Sequence, residues 1–184
     1  MTLKEEYENR VSCRSDINEH LPTLKKYSEI CETVVEFGVR TGNSSYGIMM
    51  GMPKKLTSYD IVKCRCETDI SKLATENDID YKFIRANTLE ISIDKCDMLF
   101  IDTLHTYKQL IQELNIHSIN VSKYILLHDT VSFGYKDEKN TDCEKKGLVP
   151  AIEDFLITND GKNWKVIEKF SNNNGLMILQ RNNE

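Results

Sequence analysis

The chain has 184 residues, 40% of them hydrophobic, which suffices for one domain with a sizeable core and leaves no length for a second full domain. Its 24 basic and 29 acidic residues give a net charge of -5, a field that favours neither nucleic acid nor an anionic membrane, so a small or neutral partner is expected. Cys13, Cys31, Cys64, Cys66, Cys96 and Cys143 show no CxxC pairing, and no apolar run is long enough for a bilayer span or a secretory leader, which places the protein in a reducing cytoplasm. The spacing of Cys64-Arg65-Cys66 is wrong for a zinc knuckle, so both read as small core or surface residues.

Glu5 to Ile30 is charged, with Leu21, Leu24 and Tyr27 at helical spacing behind Pro22, a residue suited to a helix first turn. This predicts an amino-terminal helical segment over 1–30, packed as one or two helices on the sheet edge. Within it, Ser15-Asp16-Ile17-Asn18-Glu19-His20 reads either as a helix cap or as an arm reaching the site, with Asn18 and His20 as candidate substrate contacts.

The stretch Val34-Val35-Glu36-Phe37-Gly38-Val39-Arg40-Thr41-Gly42-Asn43-Ser44-Ser45 is a short β-branched run that ends in an acid and turns through two glycines toward a helix. Such a turn presents backbone N–H groups to a ligand. Gly38 permits positive φ after the strand, and Gly42 permits close approach at the start of the helix. Ile48, Met49, Met50 and Met52 continue as an apolar helix face that stops near Gly51 and Pro53, and Leu56 to Ile61 is the next strand. Asp60 then falls about 20 residues past the turn, where a doubly wound sheet places a ribose-binding carboxylate. Its plain alternative is a strand-end aspartate.

Ile70 to Asn77 reads as a helix and Tyr81 to Ile84 as a third strand, with Asn87 and Thr88 at its polar end. Asp97-Met98-Leu99-Phe100-Ile101-Asp102 is an apolar run closed by carboxylates, as expected of a parallel strand buried on both faces. Leu104, Tyr107, Leu110, Ile111, Leu114 and Val121 mark an amphipathic helix, in which His117 reads as structural, and Tyr124 to Asp129 is a second buried strand with a polar end. Asp102, His105, His128 and Asp129 thereby come to the carboxyl ends of two adjacent strands, where ligands of open α/β sheets sit. Residues 131–147 are polar and glycine-containing, which suggests a mobile loop over that edge. Pro150 opens a helix carrying Ile152, Phe155 and Leu156. The strand-like runs Trp164 to Phe170 and Leu176 to Gln180 flank Asn174-Gly175, a hairpin signal.

With these elements the chain resembles the class I S-adenosylmethionine-dependent methyltransferases, a Rossmann-like α/β fold with a mostly parallel sheet and a terminal antiparallel hairpin. It looks most like the small branch containing sugar and glycan O-methyltransferases and cephalosporin-hydroxylase-like proteins. The resemblance runs from Ser15 to about Gln180, carried by the Val35–Ser44 turn, Asp60, Ile101-Asp102-Thr103-Leu104-His105-Thr106-Tyr107, His128-Asp129-Thr130 and the hairpin. It implies that Glu36, Gly38, Arg40, Thr41, Gly42, Asn43 and Ser44 hold the methionine part of the cofactor, that Asp60 takes the ribose, and that Asn87 and Thr88 flank the adenine, with Asp102 also beside the cofactor. It further implies that Asp102 and Asp129 can hold Mg²⁺, a set to which the His128 imidazole can add a ligand although Mg²⁺ prefers oxygen. The chain departs from the family pattern at Arg40, which replaces a glycine, and at Asp102-Thr103-Leu104-His105, which replaces Asp-Gly-Asp-His. It departs again at His128, which stands where metal-binding relatives often carry an acid.

Because a sulfonium methyl is already activated, the protein's tasks are alignment of an acceptor oxygen and help with its deprotonation. Either a divalent cation on Asp102 and Asp129 or general-base catalysis by His105 or His128 supplies that help. The bland readings are that Asp102 caps the following helix and that His105 bonds a backbone carbonyl. A nicotinamide-dependent oxidoreductase and a non-catalytic binding protein on the same fold are the competing readings; the GxxxG spacing lacks the three-glycine fingerprint, and the clustered polar strand ends favour chemistry. The resemblance points to a small-molecule or glycan acceptor, a sugar above all. Polar residues such as Asn18, His20 and Lys136 would then line the cleft, and a homo-oligomer remains open.

Overall fold

The computed structural model describes residues 1–182. Strands β1 (Thr33–Phe37), β2 (Lys55–Asp60), β3 (Asp80–Arg85), β4 (Cys96–Ile101) and β5 (Val121–His128) pair in parallel in the order β3-β2-β1-β4-β5. The hairpin of β6 (Trp164–Phe170) and β7 (Leu176–Arg181) completes the sheet, with β7 antiparallel to β5 and β6 outermost. Strand ends fall within a few residues of the apolar runs in the sequence, since those runs are what the parallel sheet buries on both faces.

Alternation along the strands divides the core in two. Val34, Leu56, Met98, Phe100, Leu126 and Ile178 face helices α1 (Leu3–Ser12), α2 (Leu21–Ser28), α3 (Asn43–Met49) and α4 (Glu67–Glu76). Val35, Phe37, Leu99, Ile101, Ile125, Leu127 and Leu179 face α5 (Tyr107–His117) and α6 (Leu148–Leu156). The amino-terminal helices therefore lie across one sheet face and not at its edge, because Leu21 and Leu24 of α2, both fully buried, join the first core. Helix α6 begins two residues before Pro150, which sits within the first turn, where its missing N–H has no intrahelical partner to lose.

The turn between β6 and β7 holds three successive residues at positive φ, Asn173 (45°), Asn174 (71°) and Gly175 (92°). Asparagine and glycine are the residues that tolerate this backbone. Among the described residues no helix is long and apolar enough to cross a membrane.

Phe155, fully buried on α6, anchors the second core. Replacing it with alanine is expected to cost about 3–5 kcal/mol, read as a lower urea midpoint at unchanged slope.

Candidate active site

The turn after β1 is held from below. Glu36, 0% exposed, accepts hydrogen bonds from Ser44 Oγ (2.6 Å), Ser45 Oγ (2.7 Å) and Ser58 Oγ (2.5 Å), binding β1 to α3 and β2. Burial pushes its carboxyl above the usual range against the pull of those hydroxyls. At the turn itself Gly38 adopts φ 85°, and a Cβ there would fall 1.9 Å from the Asp102 carbonyl oxygen, so the turn and the end of β4 meet with no room for a side chain. Asp60, at the end of β2, accepts the Val39 N–H (2.9 Å) and Arg40 N–H (3.0 Å) on Oδ2 and the Val62 N–H (2.8 Å) on Oδ1.

Along this carboxyl edge runs a cavity of about 610 Å³. Ile61, Ala86, Asn87 and Thr88 line it beyond β2 and β3, Gly38, Arg40 and Asp60 line it at the turn, and Asp102, His105 and Glu138 line it beyond β4. Thr88 is set by Glu113 of α5, a buried carboxyl that sequence reasoning missed. Glu113 accepts from Thr88 Oγ1 (2.6 Å), Thr103 Oγ1 (2.8 Å) and Gln109 Nε2 (2.9 Å), which fixes both flanks of the cavity to one helix. Burial raises its pKa also. His117 is structural, as expected: Nε2 lies 2.8 Å from the Thr88 carbonyl and the ring packs edge-on to Phe37.

Beyond β4 and β5 four ionisable side chains converge. His105 Nε2 lies 3.2 Å from Asp102 Oδ1 and 3.0 Å from Asp129 Oδ2, while His128 Nδ1 lies 3.4 Å and 3.2 Å from the same two oxygens. Glu138, another residue missed from sequence, holds His105 Nδ1 at 3.1 Å, and Phe133 stacks on the His105 ring at 4.8 Å. Burial opposes charge on both imidazoles, yet the two carboxylates outweigh it and push each up to about 10. Burial likewise opposes charge on Asp102 and Asp129, and the imidazoles bring both below the usual carboxylate range.

The group fits a cation. Asp102, His128 and Asp129 each offer a donor atom, all within 4.8 Å of one another, and the buried Asp129 Oδ1 has no hydrogen-bond partner among the described residues. Neighbouring ligands of a hard divalent ion stand about 3 Å apart, close to the 3.4 and 3.2 Å from His128 Nδ1 to the Asp102 and Asp129 carboxylates. Asp129 reaches the group with φ 60°, a left-handed backbone that aspartate tolerates.

Several expected contacts are displaced. Glu36 is a tie beneath the turn and does not line the cavity. Thr41, Asn43 and Ser44 do not line the cavity: Arg10 bonds the Thr41 carbonyl and the Asn43 amide oxygen, and Ser44 is spent on Glu36. Gly42, buried at φ 77°, faces Cys66 and Ile70. His20 is buried, with Nε2 3.0 Å from the Asn172 carbonyl, and Asn18 bonds the Ser15 N–H and the Val11 carbonyl. Neither lines the cavity; Asn18 instead borders a separate open cleft of about 870 Å³ with Asp16, Glu19 and Asn173. In the 131–147 loop, Glu138 and Lys139 reach the cavity and Lys136 does not. That loop is tied down by Asp137, whose Oδ1 accepts the Tyr107 N–H (2.9 Å) and the Gly147 N–H (2.8 Å).

No protein-family model matches the sequence, and no curated protein is similar to it. The structure has the class I fold of S-adenosylmethionine-dependent methyltransferases. It is similar to a candidate O-methyltransferase from Klebsiella pneumoniae (TM-score 0.64, 14% identity, 98% of this chain and 90% of that one). It is similar also to the N-methyltransferase NodS from Bradyrhizobium japonicum WM9 in complex with S-adenosylhomocysteine (TM-score 0.61, 12% identity, 100% of both chains). The 16S rRNA methylase RmtB shares the same fold (TM-score 0.63, 14% identity, 98% of this chain and 71% of that one).

If the cluster holds a cation, saturating Mg²⁺ or Mn²⁺ raises the melting temperature by roughly 5 °C or more at about 100 times Kd. Asp129→Asn removes that rise. An unchanged melting temperature of the unaltered protein in both metals contradicts the assignment.

Proposed function

We propose that this chain is an S-adenosylmethionine-dependent O-methyltransferase acting on a hydroxyl of a small polar molecule, a sugar or glycan being the preferred class. One observation carries the reading: a single cavity joins Ile61, Asp60, Asn87 and Thr88 at one end to Asp102, His105 and Glu138 at the other. The first set suits an adenine and a ribose, and the second lies where an acceptor oxygen must be aligned and deprotonated. The open cleft that meets it at the Arg40–Asp16 pair carries the charged groups of Arg14, Asp16 and Glu19 and no aromatic wall, which suits a polyhydroxylated acceptor. The nicotinamide alternative fits less well, because β7 lies antiparallel between β5 and β6, unlike the parallel order of dinucleotide-binding sheets.

The cofactor, when bound, supplies an electrophilic methyl group. A divalent cation held by Asp102, His128 and Asp129, when bound, polarises the hydroxyl and lowers the cost of losing its proton. His105 is the base. Burial opposes charge on the ring, but Asp102 and Asp129 push it up to about 10, which favours its protonated form. A cation held by Asp102 and Asp129 would relieve that bias, and with Nδ1–H donated to Glu138 the Nε2 of a neutral His105 faces Asp102 and Asp129 as a proton acceptor. Glu138 then balances the imidazolium that forms. Phe133 keeps the ring in plane.

The test is methyl transfer to a panel of sugars, phenols and amines. Transfer to hydroxyls is expected, with His105→Ala lowering turnover about 10²–10⁴-fold while affinity for S-adenosylhomocysteine stays within about twofold. Glu138→Gln is expected to fall between the two. Transfer to amines alone, or a His105→Ala protein at full rate, contradicts this assignment.

A further inference from the structure

We propose that Cys64 and Cys66 are a redox modification site, a pair of thiols that closes to a disulfide by exchange with a small disulfide such as that of glutathione. Their sulfurs lie 2.7 Å apart, the one thiol–thiol hydrogen bond among the described residues. A disulfide places its sulfurs about 2.05 Å apart, so a short approach separates the two states. The site stands independently of the methyl-donor reading.

The backbone between β2 and α4 sets this pair. Cys66 occupies the cap position before Glu67, where a side-chain oxygen commonly accepts an N–H of the first helical turn. Its thiol makes no such bond and meets Cys64 instead. Cys64 is buried and Cys66 half-buried, so an incoming disulfide reaches Cys66 first, and Cys64 is the thiol held behind it. Burial, and then the hydrogen bond with Cys64, push the Cys66 thiol up to about 12. Exchange is therefore slow at neutral pH and quickens as pH rises, because the thiolate is the attacking form.

In the first step Cys66 gives its proton to solvent and its sulfur attacks glutathione disulfide, releasing one glutathione thiolate and leaving the other half on Cys66. Cys64 likewise loses its proton, and its sulfur displaces the second glutathione thiolate from Cys66. Two electrons pass from the protein to glutathione disulfide, and two protons end on the two glutathione thiols released. Cys64 and Cys66 do not line the cavity, yet their loop leaves β2 through Asp60 and Ile61, which do. Cys66 Sγ also packs on the turn after β1, 2.8 Å from where a Cβ on Gly42 would stand. The bond thus forms just behind the cavity wall, in the loop that carries Ile61 to it.

The experiment is peptide mapping of the full chain after equilibration with glutathione disulfide in mildly alkaline buffer, an acid quench and alkylation of the remaining thiols. Trypsin cuts after Lys63, Arg65 and Lys72, so a Cys64–Cys66 bond appears as Cys64-Arg65 joined to the fragment running from Cys66 to Lys72. The joined fragment is expected in most chains, with the free Cys66 fragment falling roughly tenfold and returning on treatment with dithiothreitol. In Cys64→Ser no second thiol displaces glutathione, and Cys66 is expected to keep it as a mixed disulfide. A Cys66 fragment of the unaltered chain that stays free, that carries glutathione without joining Cys64, or that joins any other cysteine overturns the proposal.

Discussion

Two adjacent parallel strands that each end in a carboxylate set the terms for the rest of this molecule. Ile101 of β4 pairs with Leu127 of β5, so Asp102 and Asp129, each just past its strand, are delivered to the same edge, where neighbouring strands lie about 5 Å apart. Two like charges there, shielded from water, raise the energy of the folded chain unless positive charge stands beside them. His105 and His128 are brought to the gap for that purpose, and a cation answers the same need. The folded edge is thus a site whose charge balance is set by what it holds. Such an arrangement is poor for stability alone and well suited to chemistry.

The surroundings keep those charges in register. Gly38 presses the β1 turn onto the Asp102 carbonyl, and Glu36 fastens the same turn through three serine hydroxyls. From the far side the hairpin turn contributes carbonyls: Asn173 faces His128 Nε2 at 3.2 Å and Asn172 faces His20. The Asn173 side chain reaches the amino-terminal segment, accepting the Glu19 N–H and donating to the Ser15 carbonyl. That segment carries Asp16, which meets Arg40 at the cavity rim. Elements distant in sequence, the first 20 residues and the last hairpin, therefore bear on one edge of the sheet.

Much of this was legible in the residues. Strands β1, β4 and β5 are continuous apolar runs closed by polar groups, and a chain with that pattern has few ways to bury both faces other than a parallel sheet. The clustering of Asp102, His105, His128 and Asp129 follows from strand adjacency alone. Other features were not legible, because the same residue types serve local needs. Asn18 and His20 form a polar cluster, yet their polar atoms are spent on nearby backbone. Glu113 belongs to no motif, although its place three after Leu110 and four before His117 puts it on the inward face. Glu138 lies in a loop whose composition gives no register, so neither its contact with His105 nor the exclusion of Lys136 was foreseeable. The position of α1 and α2 across a face depends on tertiary packing, which no periodicity encodes.

The central claim is that the cavity receives an S-adenosyl ligand. Its most direct test is calorimetric titration of the purified chain with S-adenosylhomocysteine, run with Mg²⁺ and again with a chelator. Saturable binding in the micromolar range, roughly -8 kcal/mol, is the predicted result, present in both media. No binding in either medium contradicts the account, and the same cavity would then be titrated with NAD(H).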